Sequence, residues 1–211
     1  MPLDHKHIDE IKIPIYEFNK EYYGGNQYWF PKKLHQLSGC GPIAAANIMA
    51  YLAENFSENY RALYPYSLPI SKGDFVNHIV EVRKFVKPGI RGLTSVHQFC
   101  ENTLDYAKSR NVLLTPHILE DDTVSMEEVV HYLSEALLQK LPVAILVLTH
   151  AVKELEDYSW HWMTITDLKF NAEDNNTYIV VSTYGERHVI DLNILWNHRC
   201  TKDRIKFAYF S

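Results

Sequence analysis

Of the three cysteines in the chain, Cys40, Cys100 and Cys200, one has a setting suited to nucleophilic chemistry. The run Ser38-Gly39-Cys40-Gly41-Pro42 surrounds a thiol with small residues, and Pro42 suits the first turn of a helix, where its missing N–H costs nothing. Ala44, Ile48, Tyr51 and Leu52 then recur at helical spacing. Cys40 is therefore expected at a helix N-terminus, where free N–H groups and the macrodipole favour an anion and lower a thiol pKa. The flanking glycines leave backbone N–H groups open to a substrate. Simple core packing is the competing reading of an isolated cysteine. It is the preferred reading for Cys100, which falls on the apolar stripe of its own helix. Cys200, beside Asn197-His198-Arg199, reads as a loop residue with no role.

A thiolate needs a base or an imidazolium partner. The chain has 11 histidines, so a histidine by itself carries no information. His161 differs in context. It opens the alternating segment His161-Trp162-Met163-Thr164-Ile165-Thr166-Asp167-Leu168, after a loop that starts at His150. A histidine at a strand mouth between Trp160 and Trp162 is shielded from water and suits a Cys–His pair. The alternative is a half-buried histidine that bonds locally. His35 is a rival by proximity, but it lies on the approach to the helix and is expected at the surface. His5 and His7 read as a solvated tail. No H-x-x-x-H or C-x-x-C spacing occurs, so no metal, no cofactor and no disulfide framework is expected. Glu154, Glu156 and Asp157 read as a solvated loop that would favour a cationic substrate only if their carboxylates face the Cys40 cleft.

The elements that must position these residues follow from periodicity. With 211 residues the chain is long enough for a full core. Asp74 is expected to cap a helix carrying Phe75, Ile79, Val82 and Val86. Ser95-x-x-Gln98 and Ser125-x-x-Glu128 are capping-box patterns. The first opens a helix burying Val96, Phe99, Cys100, Thr103 and Ala107, and the second one burying Met126, Val130, Leu133 and Leu137. Strands are expected at 11–16, 112–119, 142–149, 160–168, 177–183 and 204–210, and Asp191 is expected to cap a short helix at 192–197. Helices first and strands later predict an α+β fold. The expected division is an extended surface arm at 1–38, a helical lobe at 39–140 and a sheet lobe at 141–211, together forming one catalytic domain. The charge balance, 21 basic against 26 acidic residues for a net charge of −5, lacks a basic stripe and argues against nucleic acid or an anionic membrane surface as partner. With no apolar leader and no run long enough to span a bilayer, a soluble, cytoplasmic protein is expected. Oligomeric state is left open.

On these residues the chain resembles the papain-like cysteine peptidases, and more narrowly the bacterial C39-like peptidase family. Gly39-Cys40-Gly41-Pro42 followed by Ile43-Ala44-Ala45-Ala46-Asn47 is similar to the family's nucleophile run at the head of its central helix. His161-Trp162-Met163-Thr164-Ile165-Thr166 is similar to its His-led strand, and Ser182-Thr183-Tyr184-Gly185 to the papain N-S-W-G turn. The resemblance implies a papain-like fold with an antiparallel sheet, Cys40 as nucleophile, His161 as base, and a peptide or amide substrate. It places Ser182 where papain has Asn and many C39 peptidases have Asp; a hydroxyl there would orient the imidazole without charge. Asp167 is no substitute, being about 20 Å along the same strand from His161 at ~3.3 Å per residue. The family's oxyanion donors are the Cys N–H and a Gln six residues earlier, where this chain has Leu34. Gln36, four residues before Cys40, would serve in a shorter loop, with Gln27 and Asn26 as more remote options. Acyl transfer to an acceptor other than water, and a binding or regulatory protein that has lost turnover, are the alternatives; Ser182 and Leu34 motivate the second.

Overall fold

A computed structural model describes residues 8–89, 92–121, 123–149, 152–197 and 205–211. Expectations for His5, His7, His150 and Cys200 lie outside these residues. In chain order the elements are β1 (Pro14–Glu17), β2 (Lys20–Tyr23), α1 (Lys33–Leu37), α2 (Cys40–Asn55), α3 (Ser57–Tyr60), α4 (Lys72–Arg83), α5 (Val96–Ser109), β3 (Pro116–Leu119), α6 (Met126–Leu138), β4 (Val143–Val147), β5 (His161–Asn171), β6 (Asn176–Thr183), β7 (Glu186–Asp191), α7 (Leu192–Asn197) and β8 (Ile205–Phe210). Six strands form one sheet in the order β3-β8-β4-β5-β6-β7, with every pairing antiparallel. The fold is α+β.

Helix α2 is the central helix. Every residue from Gly41 to Ala53 is buried, and the alanines at 44, 45, 46, 50 and 53 let it sit between the sheet and the other helices. Its contacts include β4 and β5 on one side and α3 and α4 on the other. Ser95 and Ser125 cap α5 and α6 as the spacing predicts; Ser125 and Glu128 form a reciprocal capping box. The expected buried set of α5 is buried. In α6 the stripe is Val129, Leu133, Ala136 and Leu137, so Met126 and Val130 lie at its margin rather than within it. Helix α4 starts three residues earlier than expected, capped by Ser71, which accepts from the Asp74 N–H.

Residues 8–38 do not form an arm over the surface. Ile11, Ile13, Ile15 and Phe30 are fully buried, and the Ile11 N–H donates to the Thr166 carbonyl of β5. At about 1.5–3 kcal/mol for each such side chain, these four residues are core, and the segment joins the sheet through Ile11. So does β3, which pairs with β8 although it precedes residue 141. Strands β2 and β7 had no sequence signal. Lys20–Tyr23 carries no fully buried residue, and in the edge strand β7 only Ile190 is buried, so neither shows a full apolar alternation.

Candidate active site

Cys40 and His161 line one cavity. Gln27, Asn47, Thr183 and Tyr184 line it with them. Cys40 stands at the first residue of α2 and His161 at the first residue of β5. The sheet meets the helix there because Trp162, the second residue of β5, stacks on Phe99 of α5 at 4.2 Å and donates its Nε1–H to the Leu93 carbonyl at 2.6 Å. This anchors the head of β5 beside the head of α2. Trp160, just before His161, holds φ 56°, a backbone conformation uncommon for a bulky residue.

His161 is 6% exposed, and its Nε2 lies 2.7 Å from Thr183 Oγ1. The hydroxyl that meets the imidazole is therefore Thr183 and not Ser182. The ladder between β5 and β6 pairs Thr164 with Ser182. Strand alternation then sends Ser182 to the side of Thr164 and gives Thr183 the parity of His161. Ser182 serves another purpose. Its hydroxyl donates to the Tyr23 carbonyl at 2.7 Å and accepts from Asn47 Nδ2 at 3.3 Å. Asn47, fully buried on α2, also donates to Thr164 Oγ1 and accepts from the Gly25 N–H at 2.8 Å. One buried amide thus ties the central helix, strands β5 and β6 and the Gly24–Gly25 turn together.

That turn leads into Asn26 and Gln27. Its packing leaves no room for a side chain: Gly24 holds φ +76°, and a Cβ there would lie 2.1 Å from Ser182 Oγ. Gly24→Ala is expected to cost about 3 kcal/mol or more, because the left-handed backbone and the clash act together. Urea denaturation of the variant checks this.

Gln36, the expected oxyanion donor, is committed elsewhere. Its Nε2 donates to the carbonyls of Tyr28 and Phe30 at 3.1 and 2.8 Å, and it does not line the cavity. The glutamine in the cavity is Gln27, whose Nε2 donates to the Gln36 carbonyl at 2.9 Å with one proton and retains a second. The short helix α1 lies between Gln27 and Cys40, so the glutamine that lines the cavity stands thirteen residues before Cys40 rather than four or six. The turn from β6 to β7 supplies the last wall. Tyr184 and Gly185 hold φ 53° and 78°, the backbone signs of a two-residue type I′ hairpin. This hairpin stacks the Tyr184 ring on His161 at 4.8 Å and 13°, and the Tyr28 ring stacks on Tyr184 at 5.9 Å.

The electrostatics reverse one expectation. Burial pushes the Cys40 thiol pKa up, and this outweighs the backbone N–H groups of Trp162, Gly41 and Cys40 that act on the sulfur in the opposite sense. Burial also holds the His161 imidazole down, to about 4, with the nearby His188 adding a smaller push in the same direction. Both shifts favour the uncharged forms, a thiol and a neutral imidazole. Glu154, Glu156 and Asp157 line neither cavity that holds Cys40, so the cationic-substrate expectation lacks its structural condition. Cys100 is buried, as its stripe predicts. His35 is half-buried in α1 and lies outside the cavity. Among the described residues no group of three or more His, Cys, Asp or Glu could hold a metal, and no helix is long and apolar enough to cross a membrane.

No protein-family model and no curated protein matches the chain. Among solved structures it is similar to UfSP from C. elegans, with a TM-score of 0.45 and 13% identity over 98% of this chain. The chain spans about a third of that protein, 35% of its length.

Proposed function

We propose that the protein is a cysteine hydrolase of papain-like architecture, acting on a peptide or amide bond. The observation that carries this reading is the shared cavity: Cys40 at the head of a buried helix, and His161 at the head of a strand with its Nε2 held by Thr183. In the tautomer whose Nε2–H donates to Thr183, Nδ1 is free to accept a proton. Because the pair rests neutral, the reaction is general-base assisted. Sγ of Cys40 attacks the carbonyl carbon as its proton passes to His161. The carbonyl oxygen becomes the oxyanion, received by the Cys40 N–H and the second Nε2 proton of Gln27. His161 then protonates the leaving amine, leaving a thioester on Cys40. Water attacks the thioester, giving its proton to His161, which returns it to the departing thiolate. Thr183 orients the base, taking the part first expected of Ser182, and Gln27 takes that of Gln36.

Alkylation by iodoacetamide, mapped by mass spectrometry, tests the pair. Cys40 is expected to label faster than Cys100, with a rate that climbs with pH toward and beyond the ordinary thiol range near 8.5, and His161→Ala is expected to slow it. A rate unchanged in that variant overturns the pairing. Raised Cys40 and lowered His161 pKa values also favour the second reading, a binding protein without turnover. Mass-spectrometric analysis of a peptide mixture incubated with the protein separates the two, since only the hydrolase consumes substrate. Thr183→Val is expected to lower kcat about tenfold, the worth of one orienting hydrogen bond, with KM little changed and activity restored in Thr183→Ser.

A further inference from the structure

A second groove, of about 690 Å³, also opens on Cys40 and runs away from it to Arg83 at the end of α4. Leu37, Leu93, Leu148 and Trp160 line the space between. Leu37 is 75% exposed and Trp160 56%, so two large apolar side chains stand in solvent at the rim of a groove that ends at a nucleophile. We propose that this groove binds a substrate whose apolar portion lies between Leu37, Leu93 and Trp160 and whose carboxylate is held by Arg83; the proposal rests on the cysteine-hydrolase reading and specifies its substrate.

Arg83 is the residue that points to an anion. Its Nη1 is buried and has no hydrogen-bond partner. Among the described residues Nη2 reaches only the Ser38 hydroxyl, at a weak 3.4 Å, and the guanidinium lies 5.8 Å from the Phe30 ring centroid. Among the described residues no carboxylate pairs with it, whereas Lys72, Lys84, Lys140, Lys169, Arg187 and Lys206 each meet one. A partly buried guanidinium whose Nη1 has no hydrogen-bond partner and whose neighbours are neutral has an unmet demand for an anion. Burial pushes its pKa down, in keeping with that deficit. The planar fork of arginine fits a carboxylate through two parallel hydrogen bonds, which a helix C-terminus does not supply. The net charge of −5 repels anions at long range, so any preference for one must arise locally.

Three alkylating probes read the groove through Cys40 at fixed ionic strength: N-iodoacetyl-leucine, N-iodoacetyl-leucinamide, and N-iodoacetyl-glutamic acid blocked as its α-amide. Free leucine acid is expected to label Cys40 roughly tenfold faster than the leucinamide. Arg83→Met is expected to bring the ratio to one or below, and Arg83→Lys to retain part of it. A faster glutamyl probe assigns the carboxylate to a side chain, and a faster leucine acid to a peptide C-terminus. If the leucinamide labels Cys40 in a His161-dependent manner but neither acid is preferred, the carboxylate site is overturned and the hydrolase reading stands. If no probe labels Cys40, both fall. Should Arg83→Met fail to fold, the wild-type ratio and Arg83→Lys decide the matter.

Discussion

Replacing Cys40 with alanine is expected to abolish turnover, by a factor on the order of 10⁵ or more, because removing a covalent nucleophile removes the reaction path rather than one contribution to it. Cys40→Ser is expected to be nearly as inactive, since neutral His161, titrating at about 4, is too weak a base to activate a hydroxyl in this setting. The fold should survive both changes. Cys40 is only half-buried, and the helix it opens is held by residues 41–53. Circular dichroism and denaturant midpoints close to wild type, with substrate cleavage lost, are the expected pair of results. Persistent cleavage by Cys40→Ala would remove the thiol from the mechanism. The wild-type pH profile carries its own signature. Catalysis needs His161 neutral, and its folded pKa of about 4 lies below the usual 6.5, so protonation of the base does not limit the rate until the pH approaches 4.

Acid is expected to unfold the protein before it silences the base. His78 is fully buried on α4 against Tyr64 and Phe75, with Nε2 at 3.2 Å from the Ala46 carbonyl. Burial lowers its pKa from 6.5 to about 3. A histidine depressed in the folded state leaves stability untouched above 6.5, where both states are neutral. Below 6.5 the unfolded chain binds a proton that the folded chain refuses, so stability falls with pH until the folded pKa is reached. His161 acts in the same sense between 6.5 and about 4. At pH 4.5 each contributes about 3 kcal/mol of destabilisation, at 1.36 kcal/mol per unit, a large part of the ~5–15 kcal/mol total of a typical domain. Urea denaturation at pH 7.5 and 4.5 measures the difference. His78→Leu should recover about half of it, since Tyr106 keeps its hydrogen bond to the Leu63 carbonyl. An undiminished acid loss in that variant would place the titrating group elsewhere.

The order and type of the main elements were legible in the chain, because each rests on local patterning. Pro42 and the alanines announce α2, and Ser95 and Ser125 announce α5 and α6 through side chains that reach their own N3 backbone. The alternating residues after His161 announce β5. Strands β2 and β7 stayed hidden because sheet edges bury too little to leave a period. The burial of Ile11, Ile13, Ile15 and Phe30 was hidden because the core they join is built largely from residues far along the chain.

The candidate site divides along the same line. Cys40 and His161 are marked by their neighbours in sequence, so a candidate nucleophile and a candidate base could be named from the chain itself. Thr183 in place of Ser182 is a matter of strand parity, and parity follows from the pairing of Thr164 with Ser182, a register set between strands. Gln27 in place of Gln36 depends on how α1 folds the intervening chain and on the grip of Asn47 on Gly25. The resting charge of the pair depends on burial. The helix start by itself favours a thiolate, but desolvation of a thiol and an imidazole packed between a sheet and a buried helix outweighs it. Sequence alone therefore determined which groups could react and on which elements they stand. Tertiary structure decided which hydroxyl, which amide and which charge state they meet, because those depend on register, loop path and dielectric rather than on neighbours in the chain.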